Sequence, residues 1–520
     1  MMKTVRDTFE NCKRSLTPAD RAAFTAAFVT GILTHLPAMT GDFPNHDGLG
    51  SLYFDQNMIT SGRWFLTVAA GISSYYALPW VIGLLGLLYL SITALLISRI
   101  LKAESAATAV GIGCLLAVFP SMASMFAYVF TLDGYLLGLL LAVWAVYLTD
   151  RSRYGWIPGG ILLAFSLGTY QAYLSFAALL CLLSLALLAQ DGAVSLSAKW
   201  KKAGSFVYMG ILGLALYYGI LQLLLKIQGR TLSGYQGIGE KTSEGPIARA
   251  FDAIPLLYRD FFTFSGSRGF LPGWFAAAAM GVLLIPACAV LLRRILRRKW
   301  YRSLWFYWTL LLLGIGIPAA CNLLLLMTPE VNYHLIMRFQ WVLFPVFALV
   351  ITADAQEEPE GAAGWQALAG WAAAAAVCVL VFSYGIADNI GYSNLQKKYE
   401  RTYAYCERLL DRIEQTPGYY QGIPVAMIGV VGEESYPGVD LTGEVTGEMV
   451  GLSGDYLVYT SANYEAFIRA YLGATLNFLP PEAMEEIYYS PAYREMGSFP
   501  AADSVRIVDG ILYVKTENKG

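Results

Sequence analysis

Long apolar segments recur along this chain, and they limit its fold more than any other feature. A helix that crosses a bilayer needs roughly 20 mostly apolar residues. By that measure the chain holds about eleven segments, near 22–40, 79–101, 105–121, 127–149, 156–170, 172–190, 204–226, 272–292, 303–327, 339–353 and 365–387. The expected class is therefore a polytopic α-helical membrane protein. Only 14% of residues are charged, against roughly a quarter in soluble domains. The 34 Tyr and 12 Trp suit the headgroup level of a bilayer. The pair 156–170 and 172–190 reads either as two short helices meeting at a tight turn or as one long bent helix.

Basic residues orient the segments. Lys13, Arg14 and Arg21 precede the first, and Arg99 and Lys102 follow the second. Arg151, Arg153, Lys199, Lys201, Lys202, Arg293, Arg294, Arg297, Arg298 and Lys299 join the same side if every segment crosses once. The positive-inside rule makes that side, with the N-terminus, cytoplasmic. Asp354, Glu357, Glu358 and Glu360 share it, but acidic residues weigh little in the rule. The other side carries 41–78, 227–271, 328–338 and everything after about 388. Within the first of these loops, Leu49 to Leu66 mixes Leu, Tyr, Phe and Met with Asp55, Gln56 and Arg63, which predicts a helix lying in the interface.

The tail divides the chain into a membrane domain, 1–387, and a small extracytoplasmic α/β domain, 388–520. The tail pattern predicts a helix over 394–415 and a buried strand over 423–431. It also predicts a hairpin in which SVRIV and ILYVKT flank Asp509-Gly510.

Several chemistries are disfavoured. The net charge of -2 argues against a nucleic-acid partner. The 7 Cys form no CxxC or Cys/His cluster, so neither a disulfide framework nor a zinc site is expected. There is no Walker A, HExxH or GxSxG pattern, and the GVVGEE stretch after the tail strand is too weak for a dinucleotide site.

A few polar residues stand out against this apolar background. Asp47, flanked by Asn45, His46 and Gly48 just after the first segment, fits a general base for an acceptor hydroxyl; a turn residue or helix cap is the alternative. Asp133 lies in or at the outer end of an apolar segment, where an ionisable side chain is costly and usually faces the protein interior or a wet cavity. Tyr170-Gln171 sits at an outer turn, where Gln171 fits sugar hydroxyls or a structural cap. Arg338, where the chain re-enters the membrane, fits a phosphate gripped through two N–H groups; snorkelling is the alternative. His334 is its neighbour. Lys226, Arg230, Lys241, Arg259 and Arg268 add positive charge around the third outer loop.

The order of these features carries a resemblance. Asp47 is followed by SGRW (61–64), Asp133-Gly134-Tyr135, SLGTYQAYL and the closing MGSFPAADSVRIVDGILYVKT. This is similar to the Gtr-type glucosyltransferases, bacterial membrane proteins that modify surface polysaccharides such as O-antigen. The resemblance implies a GT-C-like fold in the bacterial cytoplasmic membrane. It implies transfer of a sugar, glucose in this family, from a polyprenyl-phosphate donor to a cell-envelope glycan at the outer leaflet, with inversion. Asp47 and Asp133 become the catalytic candidates, with His46, Arg63, Tyr170, Gln171, His334 and Arg338 around the substrates. No cofactor is required, although a divalent metal at Asp47 and Asp133 is compatible with the scheme. The rival class, a lipid or glycan transporter or flippase, predicts two pseudo-repeated halves or matching broken helices, and the sequence shows neither.

Overall fold

A computed structural model describes residues 4, 14–50, 52–233, 246–328, 331–354, 363–428, 442–454, 457–458 and 460–516. Lys13, Lys241, Glu357, Glu358, Glu360, residues 429–431 of the expected strand and the GVVGEE stretch lie outside the described residues.

Every expected apolar segment carries a helix. They are α1 (Pro18–Thr40), then, past the short α2 (Leu66–Gly71), α3 (Pro79–Ile100), α4 (Ala106–Val118) with α5 (Pro120–Phe126), α6 (Val129–Arg151), α7 (Trp156–Thr169), α8 (Tyr173–Gln190) and α9 (Leu196–Gln228). After α10 (Pro246–Ser265) come α11 (Trp274–Arg297), α12 (Leu304–Cys321) with the short α13 (Leu324–Met327), α14 (Leu343–Asp354) and α15 (Ala363–Glu414). Among the described residues, 8 helices are long and apolar enough to cross a membrane, or 9 if α4 and α5 form one bent span. The architecture is that of a polytopic helical membrane protein.

Local sequence explains the breaks. Proline disfavours helical backbone in the residue before it. Phe119 is accordingly extended (φ -62, ψ 132) ahead of Pro120, and the α4–α5 pair bends by 48°. Segments 156–170 and 172–190 are two separate helices, parted at Tyr170–Ala172.

The basic loops gather at one end of the bundle. Arg99 pairs with buried Asp20 at 2.8 Å, and Lys202 with Asp150 at 3.4 Å. Lys199 Nζ donates to the Ala189 carbonyl at 2.9 Å, and Arg298 Nη1 to that of Gln190 at 2.6 Å. The opposite end carries loop 41–78, the α7–α8 turn, loop 331–338 and the tail.

Loop 41–78 departs from expectation. Among the described residues from Leu49 to Leu66 no α-helix lies along the stretch; its helical parts are the 3-10 turn Ile59–Ser61 and Leu66, where α2 begins. The stretch folds as turns with bridges pairing Tyr53 with Tyr76 and Met58 with Arg63. Asp55 accepts from the Asn57 N–H, Gln56 has φ 56 and Gly62 φ 78. Such turn-formers compete with helical hydrogen bonding, and the apolar mixture concealed them.

In the tail, α15 runs unbroken for 52 residues and includes both the last apolar segment and the helix expected at 394–415. Four strands follow: β1 (Pro424–Ile428), β2 (Asn477–Phe478), β3 (Val505–Val508) and β4 (Ile511–Lys515). They form one sheet in the order β2-β1-β4-β3, with β1 parallel to β2 and β4. The expected hairpin is present, β3 and β4 pairing antiparallel around Asp509 (φ 50) and Gly510 (φ 80).

Candidate active site

The first outer loop begins with a cap. Asn45 is buried, and its Oδ1 accepts from the N–H groups of Asp47 (2.9 Å) and Gly48 (3.0 Å). Its Nδ2 donates to the Ala127 carbonyl at 2.8 Å. Asn45 therefore does the capping. The Asp47 carboxylate is left 57% exposed, with His46 Nε2 at 3.5 Å.

Asp47 and His46 line a cavity of about 750 Å³ together with Asp55, Arg63, Tyr170, His334 and Lys398. Burial holds the His46 imidazole below its ordinary pKa; the Asp47 charge pulls it up and the Lys398 charge pushes it further down. His334 is likewise held low, first by burial and then by the Arg338 charge.

The SGRW turn aims Arg63. Gly62 has φ 78, and a Cβ there would lie 2.5 Å from Gln171 Nε2 and 2.6 Å from the Tyr217 hydroxyl. Gln171 Nε2 donates to the Ser61 carbonyl (2.9 Å) and to the Tyr217 hydroxyl (3.1 Å). Gln171 is thus the tie that pins this turn to α9 and is not among the cavity-lining residues. Arg63 Nη1 donates to the Tyr135 hydroxyl at 3.0 Å, and its guanidinium lies 5.1 Å from the centre of the Tyr170 ring. Tyr170 stacks on Tyr135 at 4.5 Å, so the two rings make an aromatic floor beside a cation.

Asp133 sits elsewhere. Thr131 and Tyr135 of α6 line the cavity, but Asp133 is fully buried outside its lining. Its Oδ1 accepts from the Gly134 N–H at 2.9 Å, and Oδ2 has no hydrogen-bond partner among the described residues.

Arg338 is also outside the lining. Its Nη1 and Nη2 grip Asp260 at 2.6 and 2.8 Å, and its Nε donates to the Tyr333 carbonyl at 2.9 Å. The guanidinium lies between the rings of Tyr333 (4.0 Å) and Phe264 (4.3 Å). This arrangement sets the path of loop 331–338, which brings His334, Ile336 and Met337 to the cavity wall. Lys226, Arg230, Arg259 and Arg268 do not line the cavity either.

Sequence reasoning missed two charged lining residues, Asp55 and Lys398. Asp55 falls within the stretch expected to form an interfacial helix. Lys398 is only 1% exposed, and its Nζ donates to the Ser453 carbonyl. Asn394 Nδ2 donates to the Leu452 carbonyl at 2.7 Å. Together they seat Val450, Gly451 and Ser453 as a further wall. Gly451 (φ 86) lies so close to Ala127 and Tyr128 that a Cβ would approach both to 2.9 Å. A signal for Lys398 did exist: it interrupts the buried stripe Leu395, Thr402, Cys406, Leu409, Ile413 of α15.

Chemically, the cavity offers a carboxylate able to take a hydroxyl proton, two cations suited to phosphate oxygens and aromatic faces suited to a sugar ring. Among the described residues no group of three His, Cys, Asp or Glu is arranged to hold a metal ion.

A family model described as Glucosyl transferase GtrII matches residues 36–350. The match covers more than half of the chain, from the end of α1 into α14, and includes Asp47, Arg63, Asp133, Gln171 and Arg338. Lys398 and the 450–453 wall lie beyond it. No curated protein matches the chain.

Proposed function

The chain belongs to the GtrII family of glucosyl transferases, and on that premise we propose that the cavity beside Asp47 is where it moves glucose from a polyprenyl-phosphate carrier to a cell-surface glycan. The observation that carries this reading is the convergence on one cavity of an exposed carboxylate, Asp47, with two cations, Arg63 and Lys398.

In this mechanism an acceptor hydroxyl attacks the anomeric carbon. The carbon–oxygen bond to the carrier phosphate breaks, and its electron pair leaves with the phosphate. Asp47 accepts the hydroxyl proton. Arg63 and Lys398 stabilise the developing phosphate charge, which in a water-poor site is the larger contribution to rate. Single displacement inverts the anomeric centre. Arg338 and Gln171 act at one remove by holding loop 331–338 and the SGRW turn, and Asp133 supports α6 from behind the wall. The mechanism uses no cofactor. We read eleven crossings of the bacterial cytoplasmic membrane in a GT-C-like arrangement, with the N-terminus cytoplasmic. The cavity and the tail then face the periplasmic or outer side, where the carrier presents its sugar.

The test is transfer by the purified chain in nanodiscs, with radiolabelled polyprenyl-phosphate glucose and a cell-envelope extract, in the presence and absence of a chelator. Labelled glycan from the wild type and none from Asp47→Asn, whatever the chelator, supports the reading. Movement of intact donor between leaflets without a new glycosidic bond would replace it with a transporter.

A further inference from the structure

We infer that the basic end of the bundle, remote from the Asp47 cavity, holds a phospholipid site, with the lipid phosphate in a polar chamber and one acyl chain in an adjoining groove.

The chamber has a volume of about 650 Å³ and lies between the α3–α4 turn and the ends of α8, α11 and α14. Lys102, Arg294 and Arg298 line it. Arg294 is only 6% exposed and its Nη1 donates to Gln190 Oε1 at 3.0 Å. Lys102 and Arg298 are exposed and form no ion pair among the described residues. Ser105 precedes α4 with no side-chain capping bond, so the first-turn N–H groups beside the chamber remain available to an acceptor. Two carboxylates, Glu104 and Asp191, also border the chamber. Asp191 Oδ1 accepts from the Ala193 N–H at 2.9 Å.

The groove has a volume of about 240 Å³ and is apolar, lined by Gly111, Leu349, Ala373, Ala374, Val377 and Cys378 among others. It shares Ser105, Thr108 and Ala353 with the chamber. A cationic chamber that opens into an apolar groove beside a membrane-spanning helix matches a molecule with a phosphate at one end and a hydrocarbon chain at the other. A free anion would leave the groove unfilled, and a neutral lipid would offer no anion to Lys102 and Arg298.

The experiment uses the full chain, purified in detergent and stripped of lipid. Its unfolding temperature and its adducts in native mass spectrometry are followed on titration with phosphatidylglycerol, diacylglycerol or inorganic phosphate. Only phosphatidylglycerol should bind and stabilise. The pair Lys102→Asn and Arg298→Gln should weaken that binding on the order of tenfold; Asn suits the left-handed backbone of Lys102 (φ 55). Ala374→Trp, at an exposed position, should weaken it comparably by filling the groove. Both variants should keep the wild-type unfolding temperature without lipid. Equal stabilisation by inorganic phosphate would reduce the site to an anion site. Equal stabilisation by diacylglycerol, or phosphatidylglycerol binding unchanged in both variants, would overturn the proposal.

Discussion

Arg338 and Asp260 form a two-pronged ion pair, 2.6 and 2.8 Å, that joins loop 331–338 to α10. Both side chains are mostly buried, at 8% and 19% exposure. Removing one partner of such a pair strands the other charge and costs about 3–5 kcal/mol. Arg338→Ala and Asp260→Asn should therefore lower the unfolding temperature and glucosyl transfer together. A selective rise in donor KM for Arg338→Ala, with stability unchanged, would instead place the guanidinium on the donor phosphate.

Asp47→Asn should reduce transfer about 10²–10⁴-fold and leave the unfolding temperature near that of the wild type. The carboxylate is exposed and Asn45 caps the turn, so the fold does not depend on its charge. Turnover near the wild-type rate would remove it as the base.

Lys398→Met keeps the length and most of the packing of a buried side chain while deleting its charge. We expect transfer to fall about 10²–10³-fold, seen chiefly with the polyprenyl-phosphate donor. A loss confined to folding, with kcat and KM intact in the surviving fraction, would make Lys398 only the anchor of Ser453.

Gly62→Ala places a Cβ against Gln171 and Tyr217 at a left-handed position. A loss of about 1 kcal/mol or more in stability is expected. Gln171→Ala, which releases the same turn without a clash, should lower kcat through misplacement of Arg63 while leaving the unfolding temperature less affected. Identical kcat in Gln171→Ala would separate the turn from catalysis.

His46 carries a sign that pH can test. Burial holds its folded pKa below the ordinary 6.5, so below that value the unfolded chain binds the proton more readily. Its share of stability is complete above pH 6.5 and is lost as pH falls through the lower, folded value. The wild type should lose stability over that acid range relative to His46→Gln. Parallel pH curves for the two would show that the imidazole has no such preference.

The membrane part of the fold was legible because lipid demands long apolar runs whatever the neighbours are. The two-residue hairpin at Asp509-Gly510 was legible because positive φ restricts residue choice locally. Loop 41–78 was not, because its apolar mixture suits an interfacial helix as well as the bridged turns that formed. Within the candidate site, Asp47, His46, Arg63, Tyr170 and His334 line one cavity, whereas Gln171, Asp133 and Arg338 lie outside its lining.

The sequence by itself determined which segments are helical and apolar, that the basic loops share one side, and that a polar cluster follows the first helix. Each of these depends on neighbours along the chain. Only the tertiary structure decided that Arg338 answers Asp260, that Gln171 supports the SGRW turn and that Lys398, some 350 residues from Asp47, lines the same cavity. Those outcomes depend on which helix faces pack together, and a side chain's composition or spacing carries no record of its partner across the bundle.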